Sequence, residues 1–140
     1  MTYQVSDPVI GTQPIADTST TKLHPLGTIV EAVDPTLGAG TFVYLQGLAA
    51  TAVGSWVTYN ASDNTTALLA ANAIGPVATA MSANVASQYG WYQIEGKAVG
   101  KALASYADNG LVYATATAGS IDDAVVAGDR VKLAKGASAV

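Results

Sequence analysis

From Gly27 to the end, this chain is cut into short β-rich runs by glycine, asparagine and aspartate. That punctuation leaves room for little but an all-β sandwich or barrel. The runs predict strands over 28–33, 41–46, 55–60, 66–69, 76–81, 91–95, 97–103, 111–117 and 130–134. Turn signals separate them: Asp34-Pro35, Gly38-Ala39-Gly40, Ser62-Asp63-Asn64, Glu95-Gly96, Asp108-Asn109-Gly110 and Gly128-Asp129. Asn109-Gly110 has the composition of a type I′ hairpin turn. Helix is expected only as a turn or two over 67–73, 82–87 and 122–126, none long enough for an amphipathic helix. A glycine precedes an apolar strand five times, at Gly40, Gly54, Gly90, Gly110 and Gly128. The spacing is too uneven for a solenoid or propeller.

Alternation is clean at 130–133, where Arg130 and Lys132 oppose Val131 and Leu133. Elsewhere both strand faces are apolar. Phe42 and Tyr44 oppose Val43 and Leu45, and Trp56 opposes Val57 and Tyr59. A sheet apolar on both sides needs cover on both sides. One cover can come from the chain's own second sheet; the other can be a neighbouring subunit.

Residues 1–26 differ from the rest. They hold Pro8, Pro14 and Pro25 and the run Asp17-Thr18-Ser19-Thr20-Thr21, with no sustained period. Proline and its predecessor favour extended backbone. We therefore divide the chain into an extended N-terminal arm, 1–26, and a β domain, 27–140. Tyr3, Val5, Val9, Ile10 and Ile15 are spread along the arm and are the candidate partner-binding residues. If the arm is a strap on a partner, removing about the first 15 residues leaves the domain folded and weakens attachment.

Composition narrows the function. The 140 residues form one domain's worth of chain, with no cysteine and one histidine. Thiolate chemistry, disulfides and any site needing two imidazoles are excluded. Six Lys plus Arg against ten Asp plus Glu give a net charge of −4, a poor footprint for nucleic acid. Only 11% of residues are charged, less than half of the usual ~25%. Such a surface is either bland or covered by partners. No apolar run approaches the ~18 residues of a membrane helix. The first eight residues lack a basic start and an apolar run, so no secretory signal is expected.

Little in the chain has the spacing of a catalytic or metal site. His24 sits between Leu23 and Pro25 at the end of the arm, a poor platform for a general base. Asp122, Asp123 and Asp129 lack EF-hand spacing and read as turn carboxylates. Glu31 and Glu95 are the only glutamates, and nothing in the sequence joins them as a glycosidase pair. Gly38-Ala39-Gly40 lacks the rest of a phosphate loop and leads into a strand. Asn60 and Asn64 match glycosylation acceptors by chance. The aromatics Tyr44, Trp56, Tyr59, Tyr89, Trp91, Tyr92, Tyr106 and Tyr113 lie mostly in strands and read as core or interface rather than as a sugar platform. No cofactor, no metal and no enzymatic activity are expected.

Five segments carry a resemblance: 15–30 (IADTSTTKLHPLGTIV), 40–47 (GTFVYLQG), 53–59 (VGSWVTY), 74–78 (IGPVA) and 89–96 (YGWYQIEG). In combination they resemble the small cement, or capsid decoration, proteins of tailed bacteriophages over nearly the whole chain. The resemblance implies a jelly-roll-like fold and a homodimer that binds the outside of the assembled shell. It implies the major capsid protein as partner, and no nucleic acid, membrane or small-molecule substrate. The expected location is the virion surface, after synthesis in the host bacterial cytoplasm. The alternative is a carbohydrate- or receptor-binding β module of a phage tail or cell surface, recognisable by a concave aromatic cluster.

Overall fold

A computed structural model describes residues 2–6 and 11–140. Eleven strands follow one another: β1 (Gln4–Val5), β2 (Thr18–Ser19), β3 (Ile29–Asp34), β4 (Gly38–Gln46), β5 (Trp56–Tyr59), β6 (Thr66–Leu68), β7 (Val77–Ala80), β8 (Tyr89–Gly96), β9 (Leu111–Ala114), β10 (Ile121–Asp122) and β11 (Arg130–Lys135). Among the described residues there is no helix. The large sheet runs β1-β3-β4-β8-β7-β5-β6, with β2 paired to one end of β8; the small sheet runs β10-β9-β11. All strand pairs are antiparallel. The fold is all-β and sandwich-like, an arrangement compatible with a jelly roll.

The centre is the long β4–β8 pair, from Gly40↔Gly96 to Gln46↔Tyr89. One extra residue, Ile94, bulges β8 between the partners of Thr41 and Phe42. Alternation sends Phe42, Tyr44 and Trp91 to the front and Val43, Leu45 and Tyr92 to the back. The back is covered by the same sheet. Strands β5, β6 and β7 curl over it, bringing Val57, Ala78 and Ala80 against Val43, Leu45 and Tyr92. The curl is fastened where Thr66 Oγ1 donates to the Gln46 carbonyl at 2.8 Å. A third cluster joins the small sheet to the outside of the curl, with Trp56 and Val77 packed on Leu69, Tyr106, Val112, Ala114 and Ile121.

The front is covered by the arm. Ile15, 3% exposed, packs with Val30, Ala32, Phe42, Tyr44, Met81 and Trp91. Trp91 Nε1 donates to the Gln13 carbonyl at 3.0 Å, and the Tyr44 hydroxyl donates to Gln13 Oε1 at 3.2 Å. At the far end β1 pairs with β3, and the Tyr3 ring meets Phe42 edge-on at 4.8 Å. The arm is thus a strap, but one buckled to its own domain.

Asp34 holds the tip of that buckle. Its Oδ1 accepts from the amides of Thr36 (2.7 Å) and Leu37 (2.9 Å), shaping the β3–β4 turn. Its Oδ2 accepts from the Thr2 amide at 2.6 Å. These backbone donors, Thr2 first, hold the carboxyl down at about 2.

Three local expectations differ. Segment 97–103 is not a strand but a crossing strap between sheets. Lys101 N bonds Gly54 O, Ile121 N bonds Lys101 O, and Leu103 N bonds Ile121 O. Its partner switches at Lys101 from Gly54 to Ile121, so only an isolated Ala102–Ile121 bridge forms. Asn109-Gly110 is not a type I′ centre. The turn closes from Gly110 N to Ala107 O with Asn109 alone at positive φ. The expected helical turns serve as β6 and as connecting loops instead.

Two measurements check this packing. Ile15→Ala should lower stability by about 2–5 kcal/mol, as for other buried aliphatic truncations. Deleting the first fifteen residues should lower the melting temperature further, because it uncovers Tyr44 and Trp91 as well. A truncated chain that melts at the full-length temperature would show that the front closes without the arm. For Asp34, the depressed folded-state pKa means its contribution is complete above the ordinary carboxyl value of 3.8 and is lost as pH falls toward about 2. The gap in melting temperature between the native chain and Asp34→Asn should therefore shrink over that range.

Candidate interaction surface

The sequence-derived candidates lie in different places. Ile15 is enclosed in the front core, and Tyr3 and Val5 pack half-buried at its edge. Val9 and Ile10 lie outside the described residues. The described candidates Tyr3, Val5 and Ile15 therefore face the chain's own sheet. Tyr3 also donates from its hydroxyl to the Lys97 carbonyl at 2.9 Å. Burial is the main cause that pushes that hydroxyl's pKa up.

His24 is a core cap. Its Nε2 accepts from the Gln13 amide at 3.2 Å, and its ring lies 5.1 Å from Tyr44 and 5.5 Å from Trp91. Among the described residues no serine–carboxylate relay is built on it. The aspartates serve loops. Asp129 Oδ1 accepts from the Asn72 amide (2.8 Å), Asp123 Oδ2 from Ala107 (2.9 Å), and Asp122 Oδ1 from Asp123 (2.9 Å). Among the described residues no group of three or more His, Cys, Asp or Glu is placed to hold a metal ion.

The register does align Glu31 and Glu95. Glu31 stands opposite Thr41, and Thr41 opposite Glu95, so the three share one cross-strand row. With two inter-strand steps, their Cα atoms are about 10 Å apart. Acid–base work by two carboxylates needs unlike surroundings, one of them desolvated. Both of these side chains face solvent.

None of the ten aromatic residues is exposed. Tyr44, Trp91 and Tyr92 fill the two main cores, and Tyr106 and Tyr113 are buried at the small sheet. The concave aromatic platform of the carbohydrate-binding alternative is not formed.

What the fold does create is a groove of about 1330 Å³ between the outer face of β7–β8 and the small sheet. Its floor includes Trp56, Val77, Ile94 and Val131. Trp56 Nε1 is buried there without a hydrogen-bond partner. Gly100 passes flat against that indole; a Cβ on it would stand 2.5 Å from Nε1, leaving no room for any side chain.

One wall of the groove is β11, where the expected alternation breaks. Arg130 pairs with Tyr113 and Lys135 with Leu111, so the strand carries extra residues between these two points. Val131 and Ala134 turn inward. Leu133, expected beside Val131, is instead fully exposed, with φ at 62°. A branched side chain in the left-handed region is uncommon. Sequence reasoning missed this because two-residue periodicity assumes an unbulged ladder. The groove's charge also stands out: Lys97, Arg130, Lys132 and Lys135, four of the chain's six cations, line it with only Glu95 and Asp129 as side-chain carboxylates among the described residues.

Gly100→Ala tests the packing under the groove. It should displace the Trp56 indole, change tryptophan fluorescence, and cost about 1–3 kcal/mol as overpacking does; unchanged emission and stability would refute the close approach. Comparison with models of known protein families, with curated proteins and with solved structures finds no match to this chain.

Proposed function

We propose that this chain is a structural virion protein, a cement or decoration protein that binds the outside of a phage capsid and bridges major capsid subunits. The sequence resemblance points to that family, and within it to the cement protein of a Bordetella phage. The physical observation that carries the reading is the uncovered outer face of β3, where two aliphatic side chains, Ile29 and Val33, flank Glu31. On β3 the residues alternate exposed and buried. Val30 and Ala32 lie in the front core, whereas Ile29 is 61% and Val33 43% exposed on the opposite side. The curl of β5–β7 that covers the back of β4 and β8 leaves β3 bare. In a chain with so few charges, such a face favours contact with protein rather than with water.

The mechanism is interface physics. Each copy contributes a modest contact, and capsid symmetry repeats it many times. Clamps across subunit seams slow rupture of a shell strained by packaged DNA. A homodimer would double the contacts per clamp. No catalytic step belongs to this reading.

Sedimentation with purified mature shells tests it directly. The native chain is expected to co-sediment in a fixed ratio to the capsid protein, and cross-linking on the particles to trap pairs. The double variant Ile29→Lys, Val33→Lys should fold within about 0.5 kcal/mol of the native chain, since both side chains are exposed, yet leave the shells in the supernatant. A native chain that stays in the supernatant sinks the proposal.

A further inference from the structure

We infer that the free edge of β11 is a docking strand for an extended, acidic segment of a partner protein. This goes beyond the capsid-binding reading and does not depend on it. β11 is the last strand of the small sheet, paired with β9 on one side and, among the described residues, with no strand on the other. An unpaired edge offers main-chain donors and acceptors to an incoming strand. Arg130, Lys132 and Lys135 stand exposed along it, and Lys97 lines the same groove from the loop after β8. None of the four has a carboxylate partner among the described residues. Of the groove's two side-chain carboxylates, Asp129 is already engaged by the Asn72 amide. A protein of net charge −4 thus presents a local cationic rim, which recruits an acidic partner and repels a basic one.

Charged residues on an edge strand also serve to prevent strand-to-strand aggregation. That role accounts for the lysines but not for Leu133. Protection against aggregation is weakened by a leucine pointing straight into solvent between Lys132 and Lys135. Holding a leucine at positive φ costs about 1 kcal/mol or more. A bulge that re-aims one side chain is a common device at binding edges. Here it aims an apolar anchor between cations. Arg130 and Lys132 are two residues apart, about 7 Å along the strand. They match carboxylates at alternate positions of an extended chain, with an apolar position left to meet Leu133.

The test uses the full-length protein and a short fluorescein-labelled peptide of alternating valine and glutamate, followed by anisotropy. Saturable binding is expected, weakening as salt is raised. Lys132→Glu should reduce affinity about ten-fold or more. Replacing glutamate by lysine in the peptide should abolish binding, and a central proline should weaken it by removing strand pairing. Leu133→Asn places a residue that tolerates positive φ at the bulge. It should melt no lower than the native chain while binding the peptide several-fold more weakly. No binding up to about millimolar peptide, or equal binding of the lysine peptide, overturns the proposal. So does a native oligomer that Leu133→Asn converts to monomer, which would make the edge a seam between copies of this chain. Failure to bind shells would leave the peptide result unaffected, so the two proposals fail separately.

Discussion

A strand pair that is apolar on both faces cannot be left in water, and β4–β8 is such a pair. Phe42, Tyr44 and Trp91 on one side and Val43, Leu45 and Tyr92 on the other demand two covers from one short chain. The chain meets the demand by different means. The back is closed by curling β5–β7 over it, using small Ala78 and Ala80 where two layers of one sheet come close. The front has no strands left to close it, so the arm is laid across it. Gln13 is central to that cover. Its carbonyl accepts from Trp91, its side-chain oxygen from Tyr44, and its amide donates to His24. Three polar atoms that would be costly to bury unpaired are thereby satisfied. The lone histidine, at first sight a candidate for chemistry, is explained by this closure.

Much of the architecture is legible in the sequence because it is local. The alternation around Phe42–Leu45, the glycine punctuation and the short apolar runs specify eight of the strands to within a few residues, and the all-β class with them. The arm's destination is not legible. Gln13 and Trp91 are 78 residues apart, and neither β1 nor β2, two residues each, has a periodic signal. The need for a second cover was readable. That the arm supplies it follows only from the register of β2 on β8 and β1 on β3. Segment 97–103 reads as a strand because its composition is that of one, but tertiary contacts divide its hydrogen bonds between two sheets.

The surface was harder to read than the core. The groove is assembled from residues between Leu37 and Val140, brought together by the packing of two sheets. Arg130, Lys132 and Lys135 are close in sequence, but Lys97 stands more than thirty positions before them, so no charge run announces the whole rim. Leu133 is the sharper case. Alternation assigned it to the inner face with Val131, and one irregularity between Arg130 and Lys135 reversed that. Such a shift depends on how β11 meets β9 and Gly110, where the Gly136 amide bonds the Gly110 carbonyl at 3.0 Å. No pattern inside β11 encodes it.

A clamp between two subunits needs two contact surfaces that do not compete. With the arm engaged at home, the strongest remaining features lie on different sheets: the aliphatic strip of β3 and the bulged, cationic edge of β11. Their physics differs. Contact through Ile29 and Val33 is a matter of removing apolar surface from water, and salt leaves it nearly unchanged or strengthens it. Contact through Arg130, Lys132 and Lys135 is electrostatic at the surface, where screening acts over a Debye length of about 8 Å at physiological ionic strength. A molecule built this way can be recruited by charge and retained by apolar contact. The same division explains how a chain with only 11% charged residues distributes them. It gathers four of its six cations around the β11 groove, whereas the exposed face of β3 carries the single carboxylate Glu31 between Ile29 and Val33.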